Sequence, residues 1–118
     1  MRKRYPTPHL CADGHWVRSK SEREIDNFFF QHHISHVFEK EHYIGNQKTY
    51  PDFFLPDHNL FIEYFGMDTE DYLKKKEKKI ALYTKDLQYH FEYLTGEDDY
   101  RIEERLREIC QKYNIPLT

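Results

Sequence analysis

Cysteine and glycine are scarce in this sequence, and each shortage excludes a class of protein. The two cysteines, Cys11 and Cys110, lie far apart in the chain and form no disulfide framework, which fits a reducing cytoplasm. The four glycines form no glycine-rich loop of the kind that holds nucleotide phosphates. The chain also lacks internal repeats, and its only low-complexity segment is a short run of lysines.

Long apolar runs are missing as well. No stretch approaches the roughly 18 apolar residues that suggest a membrane-spanning helix. The N-terminal segment MRKRYPTPHL lacks the apolar region of a secretory signal. We therefore expect a cytoplasmic protein with no membrane partner. The length of 118 residues predicts one domain, and ten tyrosines and nine phenylalanines supply much of its core.

The sequence does not favour a closed zinc site. His9, Cys11 and His15 could provide three ligands, whereas structural zinc usually has four, most often as paired Cys or Cys/His ligands. No second pair of this kind is evident in the sequence. Cys110 follows Ile109 in the last predicted helix, which indicates packing rather than a nucleophile.

Charge is distributed in blocks, although the net charge is only −3. Residues 1–20 hold five Lys or Arg against one Asp, and residues 74–85 hold six Lys against one Glu. Residues 21–73 hold eleven acids against three bases, and residues 86–118 hold eight against four. Basic edges around an acidic centre suit a metal site flanked by phosphate contacts. A solvated helix face explains the lysine run equally well.

The pattern of apolar residues predicts the order helix, three strands, helix, strand, helix, after an N-terminal arm at residues 1–17. The predicted helices and strands cover residues 21–32, 36–43, 50–55, 60–65, 69–85, 87–94 and 99–113. The second helix is a crossover, so we expect the fourth strand to run parallel to one of the first three. Residues 18–118 are therefore predicted to form an α/β domain with a small mixed sheet flanked by helices.

The most informative feature is a pair of carboxylates inside two apolar segments. Asp52 lies in YPDFFLP and Glu63 lies in LFIEYFG, and the turn-like residues 57–59 join these segments as a hairpin. Burying an ionised carboxylate costs free energy, and two carboxylates on adjacent strands also repel each other. A divalent cation between them would remove both costs. The alternative is a loop Asp and a strand-end Glu that are both solvated.

Pro51-Asp52 followed by Glu63 resembles the signature of the PD-(D/E)xK, or restriction-endonuclease-like, nuclease superfamily. The resemblance implies an α-β-β-β-α-β core, here with an extra C-terminal helix. It also implies Mg²⁺ or Mn²⁺ held by Asp52, Glu63 and the backbone carbonyl of Tyr64. The superfamily has a lysine two residues after the Glu, but this chain has Phe65, which carries no charge.

Glu22 lies in the segment VRSKSE, at residues 17–22. This segment resembles the opening helix of small nucleases and helicase-associated nuclease domains related to very-short-patch repair enzymes. The resemblance places Glu22 in the active site, where it would hold a water or a second ion. On a helix, Glu22 shares a face with the apolar Ile25 and Phe29. The alternative is an N-terminal acid that stabilises the helix dipole.

Lys79 lies in the segment YLKKKEKKIALY, at residues 72–83, which resembles a helix of the same nucleases. The resemblance makes Lys79 the replacement for the lysine that is missing at Phe65. Lys76 is the second choice, because it lies on the same face of the predicted helix.

Taken together, the resemblance implies metal-dependent hydrolysis of DNA in a repair, recombination, phage or mobile-element context. Arg18, Lys20 and Lys75 are the predicted DNA contacts. A homodimer, as in a Holliday-junction resolvase, stays open, as does a helicase or other nucleic-acid-processing partner. The alternative from another class is a catalytically silent module that binds nucleic acid or protein, which Phe65 favours.

Overall fold

The computed structural model describes residues 6–118 and divides the chain into two units. The first unit comprises the described residues up to 34 together with residues 101–118, and the second comprises residues 35–100. In chain order the elements are β1 (His9–Leu10), β2 (Trp16–Val17), α1 (Lys20–Gln31), β3 (Val37–Phe38), β4 (His42–Ile44), β5 (Gln47–Thr49), β6 (Phe53–Leu55), β7 (Leu60–Phe65), α2 (Glu70–Lys85), β8 (His90–Thr95) and α3 (Ile102–Lys112). The protein is therefore mixed α/β, with three helices in the described residues.

The first unit is built on the packing of α1 against α3. Ser19 caps α1, because its hydroxyl accepts a hydrogen bond from the backbone N–H of Glu22 at 3.0 Å. Apolar residues at helical spacing are buried on both helices. They are Ile25, Phe28 and Phe29 on α1 and Ile102, Leu106 and Ile109 on α3.

The segment predicted as an N-terminal arm contains a short hairpin. Strands β1 and β2 pair antiparallel, with His9 opposite Val17. Cys11 and Val17 are buried, so this hairpin contributes to the apolar interior of the first unit. Residues 1–5 of the predicted arm lie outside the described residues.

The second unit contains a four-stranded sheet in the order β3-β6-β7-β8. Strands β3, β6 and β7 pair antiparallel, and β8 lies parallel to β7. The predicted parallel strand is confirmed, because a chain leaving β7 needs the crossover through α2 to return in the same direction. No helix among the described residues is long and apolar enough to cross a membrane.

The predicted strand at residues 36–43 is wrong as a single element. Glu39 adopts a left-handed conformation with φ of 50°, which separates β3 from β4. Strand β4 then forms a separate two-stranded sheet with β5. The sequence did not predict β5, because Gln47 and Lys48 are exposed and polar and give no apolar alternation. Gly45 lies in the turn between β4 and β5, with φ of 60°.

The turn between β6 and β7 sets the register of the central hairpin. Pro56–His58 form one turn of 3-10 helix, and Asn59 follows in the left-handed conformation with φ of 48°. Phe53 then lies opposite Ile62. Extending this register by one residue places Asp52 opposite Glu63.

Substitution at Asn59 tests this turn. A β-branched residue is strained at positive φ, so Asn59→Val should lower the free energy of unfolding by about 1–2 kcal/mol. Asn59→Gly is the matched control and should stay within about 0.5 kcal/mol of the wild type, because glycine adopts this conformation freely. Urea titration followed by circular dichroism measures both. Equal stability of the two variants would contradict the left-handed assignment.

Candidate active site

Asp52 lies directly before β6, and hydrogen bonds join it to Glu63 on β7. The backbone N–H of Asp52 donates to Glu63 Oε2 at 3.0 Å. In return, the backbone N–H of Tyr64 donates to Asp52 Oδ2 at 2.8 Å. The predicted placement of the two carboxylates across from each other is confirmed, and each is oriented by the backbone of the opposite strand.

Glu63 lies in an environment that opposes a negative charge. Its side chain is fully buried, whereas Asp52 is partly exposed. Burial raises the pKa of Glu63 well above its usual range, and the charge of Asp52 raises it further. The ammonium of Lys79 acts in the opposite direction without cancelling this effect. Glu63 therefore has a strong tendency to bind either a proton or a cation.

Lys79 on α2 reaches this carboxylate pair. Its Nζ lies 3.2 Å from Glu63 Oε1, and its side chain is 41% exposed. Burial alone would lower the pKa of Lys79, but the charges of Glu63 and Asp52 outweigh burial and raise it. Lys79 is therefore a charged hydrogen-bond donor at neutral pH, with one side open to solvent.

Lys76, the second-choice lysine, contacts aromatic rings instead of the carboxylates. Its Nζ lies 4.9 Å from the ring centroid of Tyr93 and 5.6 Å from that of Phe65, which are cation–π distances. Of the two lysines that the sequence left open, the structure brings Lys79 to Glu63.

Phe65 occupies the position where the superfamily pattern has its lysine. The side chain is buried, and its ring packs edge-on against Tyr93 at 5.5 Å and Tyr72 at 6.3 Å between centroids. Alternation along β7 places Phe65 on the same face as Glu63. This face therefore carries an apolar wall next to the carboxylates, and the positive charge comes from α2.

Tyr72 and Tyr83 lie next to the carboxylates, although the sequence did not predict either tyrosine as a site residue. The Tyr83 hydroxyl lies 2.7 Å from Thr49 Oγ1. Burial, followed by the charge of Glu63, raises the pKa of Tyr83. Burial, followed by the charge of Asp52, raises the pKa of Tyr72.

The spacing along α2 is the signal that could have identified these tyrosines. Tyr72, Lys76, Lys79 and Tyr83 follow at intervals of four, three and four residues, which places them on one helical face. The resemblance at residues 72–83 selects Lys79, and the shared helical face adds Lys76. It gives the tyrosines no role, and an aromatic residue at helical spacing usually packs in the core.

Glu22 lies in the first unit, where it contributes to the cap of α1. It is buried, and its Oε1 accepts hydrogen bonds from the Arg18 backbone N–H and the Ser19 hydroxyl, both at 3.2 Å. These contacts support the capping role that was the alternative at the sequence level. Its membership of the active site stays a prediction.

The predicted DNA contacts are spread over both units and also stay predictions. Arg18 and Lys20 lie at the start of α1, and Lys75 is exposed on α2. The predicted metal ligation by the Tyr64 carbonyl likewise stays a prediction. What is established for Tyr64 is that its N–H orients Asp52, and that its hydroxyl donates to Asp99 at 2.5 Å.

The donor set around Glu63 fits a hard divalent cation. Within the described residues, Glu63 Oε1 is buried and accepts no well-aligned hydrogen bond, although the Lys79 ammonium lies nearby. The groups that could coordinate an ion here are carboxylate oxygens, which Mg²⁺ and Mn²⁺ prefer. A cation bound by Glu63 would offset the cost of burying its negative charge and would reduce its repulsion from Asp52.

Glu63→Gln should stabilise the metal-free protein at alkaline pH. The folded state raises the pKa of Glu63 above its ordinary value of 4.5, so its contribution to stability is complete below pH 4.5 and is lost as pH rises through the folded-state pKa. Glutamine resembles the neutral acid and avoids this loss. A tenfold difference in proton affinity is worth about 1.4 kcal/mol, which corresponds to a Tm increase of about 5 °C in a domain of this size.

Thermal unfolding of both proteins at pH 8 and at pH 3.5, with a chelator present, measures this difference. The increase should be confined to pH 8. A lower Tm for the variant at pH 8 would mean that the ion pair with Lys79 outweighs the cost of burying the charge.

What the site can do chemically follows from its own geometry, because no protein-family model, curated protein or solved structure matches the chain. That geometry is two facing carboxylates, one directly before β6 and one on β7, with one ammonium supplied from a crossover helix.

Proposed function

We propose that the protein is a metal-dependent endonuclease that hydrolyses phosphodiester bonds in DNA. The observation that carries this proposal is the approach of Lys79 Nζ to 3.2 Å from Glu63, which itself faces Asp52 across the β6–β7 pair. This arrangement supplies the two carboxylates and the one lysine of the PD-(D/E)xK pattern, although the lysine lies on α2 and not on β7.

The topology of the second unit supports the same proposal. An antiparallel meander of β3, β6 and β7 is followed by α2 and then by the parallel strand β8. We propose that this is the β-β-β-α-β part of a restriction-endonuclease-like core. In that scheme α1 is the opening helix, and α3 is the additional C-terminal helix.

Asp52 and Glu63, with the Tyr64 carbonyl, are the residues that would hold Mg²⁺ or Mn²⁺. Such an ion lowers the pKa of a water that it binds and offsets charge on the scissile phosphate. Reciprocal backbone hydrogen bonds hold the carboxylates in place before any ion arrives. Little reorganisation of the two side chains is then required.

Lys79 would act as a donor and not as a base. The pKa of Lys79 is raised, so its amine is protonated at neutral pH and cannot accept another proton. Its partly exposed ammonium can orient a water or donate a hydrogen bond to a phosphate oxygen. The apolar wall made by Phe65 and Tyr72 strengthens these electrostatic interactions by excluding solvent.

The exposed lysines of α2 would add a diffuse attraction for the DNA backbone. Lys74, Lys75 and Lys78 are all exposed on this helix, and such contacts weaken as salt rises. Phosphate contacts do not distinguish base sequences. In the proposal, Arg18 and Lys20 serve the same purpose, and Glu22 assists through a water or a second ion.

A catalytically silent module is the second candidate, and the burial of Phe65 is the observation that favours it. In that case Phe65 replaces the catalytic lysine without compensation, and Lys79 only neutralises the charge of the buried Glu63. The two candidates differ in turnover and not in metal binding, so the variants below separate them.

Metal binding should depend on Asp52. Asp52→Asn removes the charge of one ligand and should weaken Mg²⁺ binding at least about tenfold in calorimetric titration. Asp57→Asn is the matched control, since it removes an exposed carboxylate from the turn between the same two strands. Equal affinities for the wild type and Asp52→Asn would rule out a metal at this pair.

Turnover should depend on Lys79. Loss of a positioned donor typically costs about 10²–10⁴ in rate, so Lys79→Ala should lose cleavage of plasmid or branched DNA by that factor. DNA affinity should fall less than about twofold, because one of several phosphate contacts is removed. Gel-based cleavage with Mn²⁺ and fluorescence anisotropy measure the two effects.

Lys75→Ala and Lys76→Ala are the controls for charge on the same helix. Both should remain active, since Lys75 is exposed and Lys76 contacts aromatic rings. An inactive Lys76→Ala beside an active Lys79→Ala would transfer the role to Lys76. A wild type that binds metal and DNA but cleaves neither substrate would favour the silent module.

A further inference from the structure

A second group of metal-ligating side chains lies in the first unit. Asp13 and His15 are in the loop between β1 and β2, and Asp26 is on α1. His15 Nδ1 lies 2.9 Å from Asp26 Oδ2 and 3.0 Å from Asp13 Oδ2. Asp26 is fully buried, and the side chains of Asp13 and His15 are 10% and 40% exposed.

We propose that Asp13, His15 and Asp26 form a second divalent-cation site that takes a transition-metal ion such as Zn²⁺ or Mn²⁺. This site is separate from the proposed nuclease chemistry, and none of its ligands takes part in the carboxylate pair on β6 and β7.

The spacing of the three ligand atoms fits an ion. Ligand oxygens and nitrogens bind Zn²⁺ at about 2.0–2.2 Å, almost always in tetrahedral geometry, so two ligand atoms are about 3.4 Å apart. The imidazole nitrogen lies 2.9 Å and 3.0 Å from the two carboxylate oxygens, so the ligands need to separate by only about 0.5 Å to admit the ion. One ligand atom from each residue lies within 4.8 Å of the others. The N–H on Nδ1 can donate one proton to only one of the two carboxylates at a time. A divalent ion bound by Nδ1 and both carboxylates would interact with the two negative charges at once.

The chemistry of the ligands selects the class of metal. An imidazole together with carboxylates suits Zn²⁺, Mn²⁺ and Fe²⁺, whereas Mg²⁺ and Ca²⁺ prefer oxygen alone. The carboxyl pair at Asp52 and Glu63 has no imidazole in its donor set, so the two sites should prefer different ions.

Cys11 is buried beside this cluster. Burial, followed by the charges of Asp26 and Asp13, raises the pKa of Cys11 to about 12. The nearby Arg23 acts in the opposite direction without cancelling these effects.

The ion would join two segments of the first unit. Strands β1 and β2 have two residues each and gain little stability from their own pairing. A metal that binds their connecting loop and α1 at once would fix the hairpin to the helix. The expected consequence is greater thermal stability with the ion present, independent of any enzymatic activity.

The test uses the full chain carrying Asp52→Asn and Glu63→Gln, which removes the carboxylate pair. Titration calorimetry with Zn²⁺ should give one ion per chain at micromolar Kd, unaffected by millimolar Mg²⁺. His15→Ala and Asp26→Asn should each weaken binding at least about 30-fold. Saturating Zn²⁺ should raise the Tm of the parent by at least about 5 °C and should not raise that of His15→Ala.

Two controls separate this site from weaker explanations. Cys11→Ser should leave the affinity unchanged if the thiol is not a ligand, and Glu24→Gln removes one exposed acid from the same helix and should also have no effect. Co²⁺ provides a second measurement, because its visible absorption reports imidazole coordination and should disappear in His15→Ala. Circular dichroism confirms folding of each variant.

The proposal is overturned if the double variant binds no Zn²⁺ or Mn²⁺. It is also overturned if His15→Ala and Asp26→Asn bind as tightly as their parent. Neither result bears on the proposed nuclease, which is tested in the wild-type background with Asp52→Asn and Lys79→Ala.

Discussion

The burial of Glu63 in the centre of β7 is the constraint on which the second unit depends. An ionised carboxylate in that position has to be compensated from every direction available. The backbone N–H of Asp52 donates to one oxygen, and the Lys79 ammonium lies 3.2 Å from the other. The turn at residues 56–59, which fixes the register, matters for the same reason, since a one-residue slip would turn Glu63 to the opposite face.

Helix α2 is both a structural and an electrostatic element. One face provides Tyr83, whose ring packs between Phe61 and Phe91 at 4.9 Å and 5.3 Å between centroids. The same face carries Lys79, so the packing that seats the tyrosine also positions the ammonium. The exposed lysines, which are Lys74, Lys75, Lys78 and Lys85, give the helix a basic surface beside an acidic site.

The sequence predicted the central hairpin well, because its residues obey strong local rules. Strand β7 begins and ends where the apolar run predicts, and the turn residues fall between the two strands. Strand β5 escaped prediction, because its exposed polar residues are specified by pairing with β4 and not by their own pattern.

The same distinction applies to the site. Asp52 and Glu63 could be predicted, since a charge inside an apolar strand is visible in one dimension. For the tyrosines of α2, the spacing predicts only that they share a face with Lys79, since the role of their hydroxyls depends on how the helix packs. The grouping of Asp13, His15 and Asp26 is likewise a tertiary contact, and only His15 had been considered as a metal ligand.

Supplying the lysine from a helix changes what holds the site together. A lysine on β7 would be kept near Glu63 by two peptide units, however loosely the rest of the unit packed. Lys79 has no such tether, and Tyr83 is the one fully buried side chain of its helix. Segments with few buried contacts open locally at low free energy while the rest of the protein stays folded. Each local opening of α2 would move the Lys79 ammonium away from Glu63 and leave the carboxylate pair intact. Temperature and solvent can therefore change the fraction of molecules with a complete site under conditions where the protein as a whole stays folded.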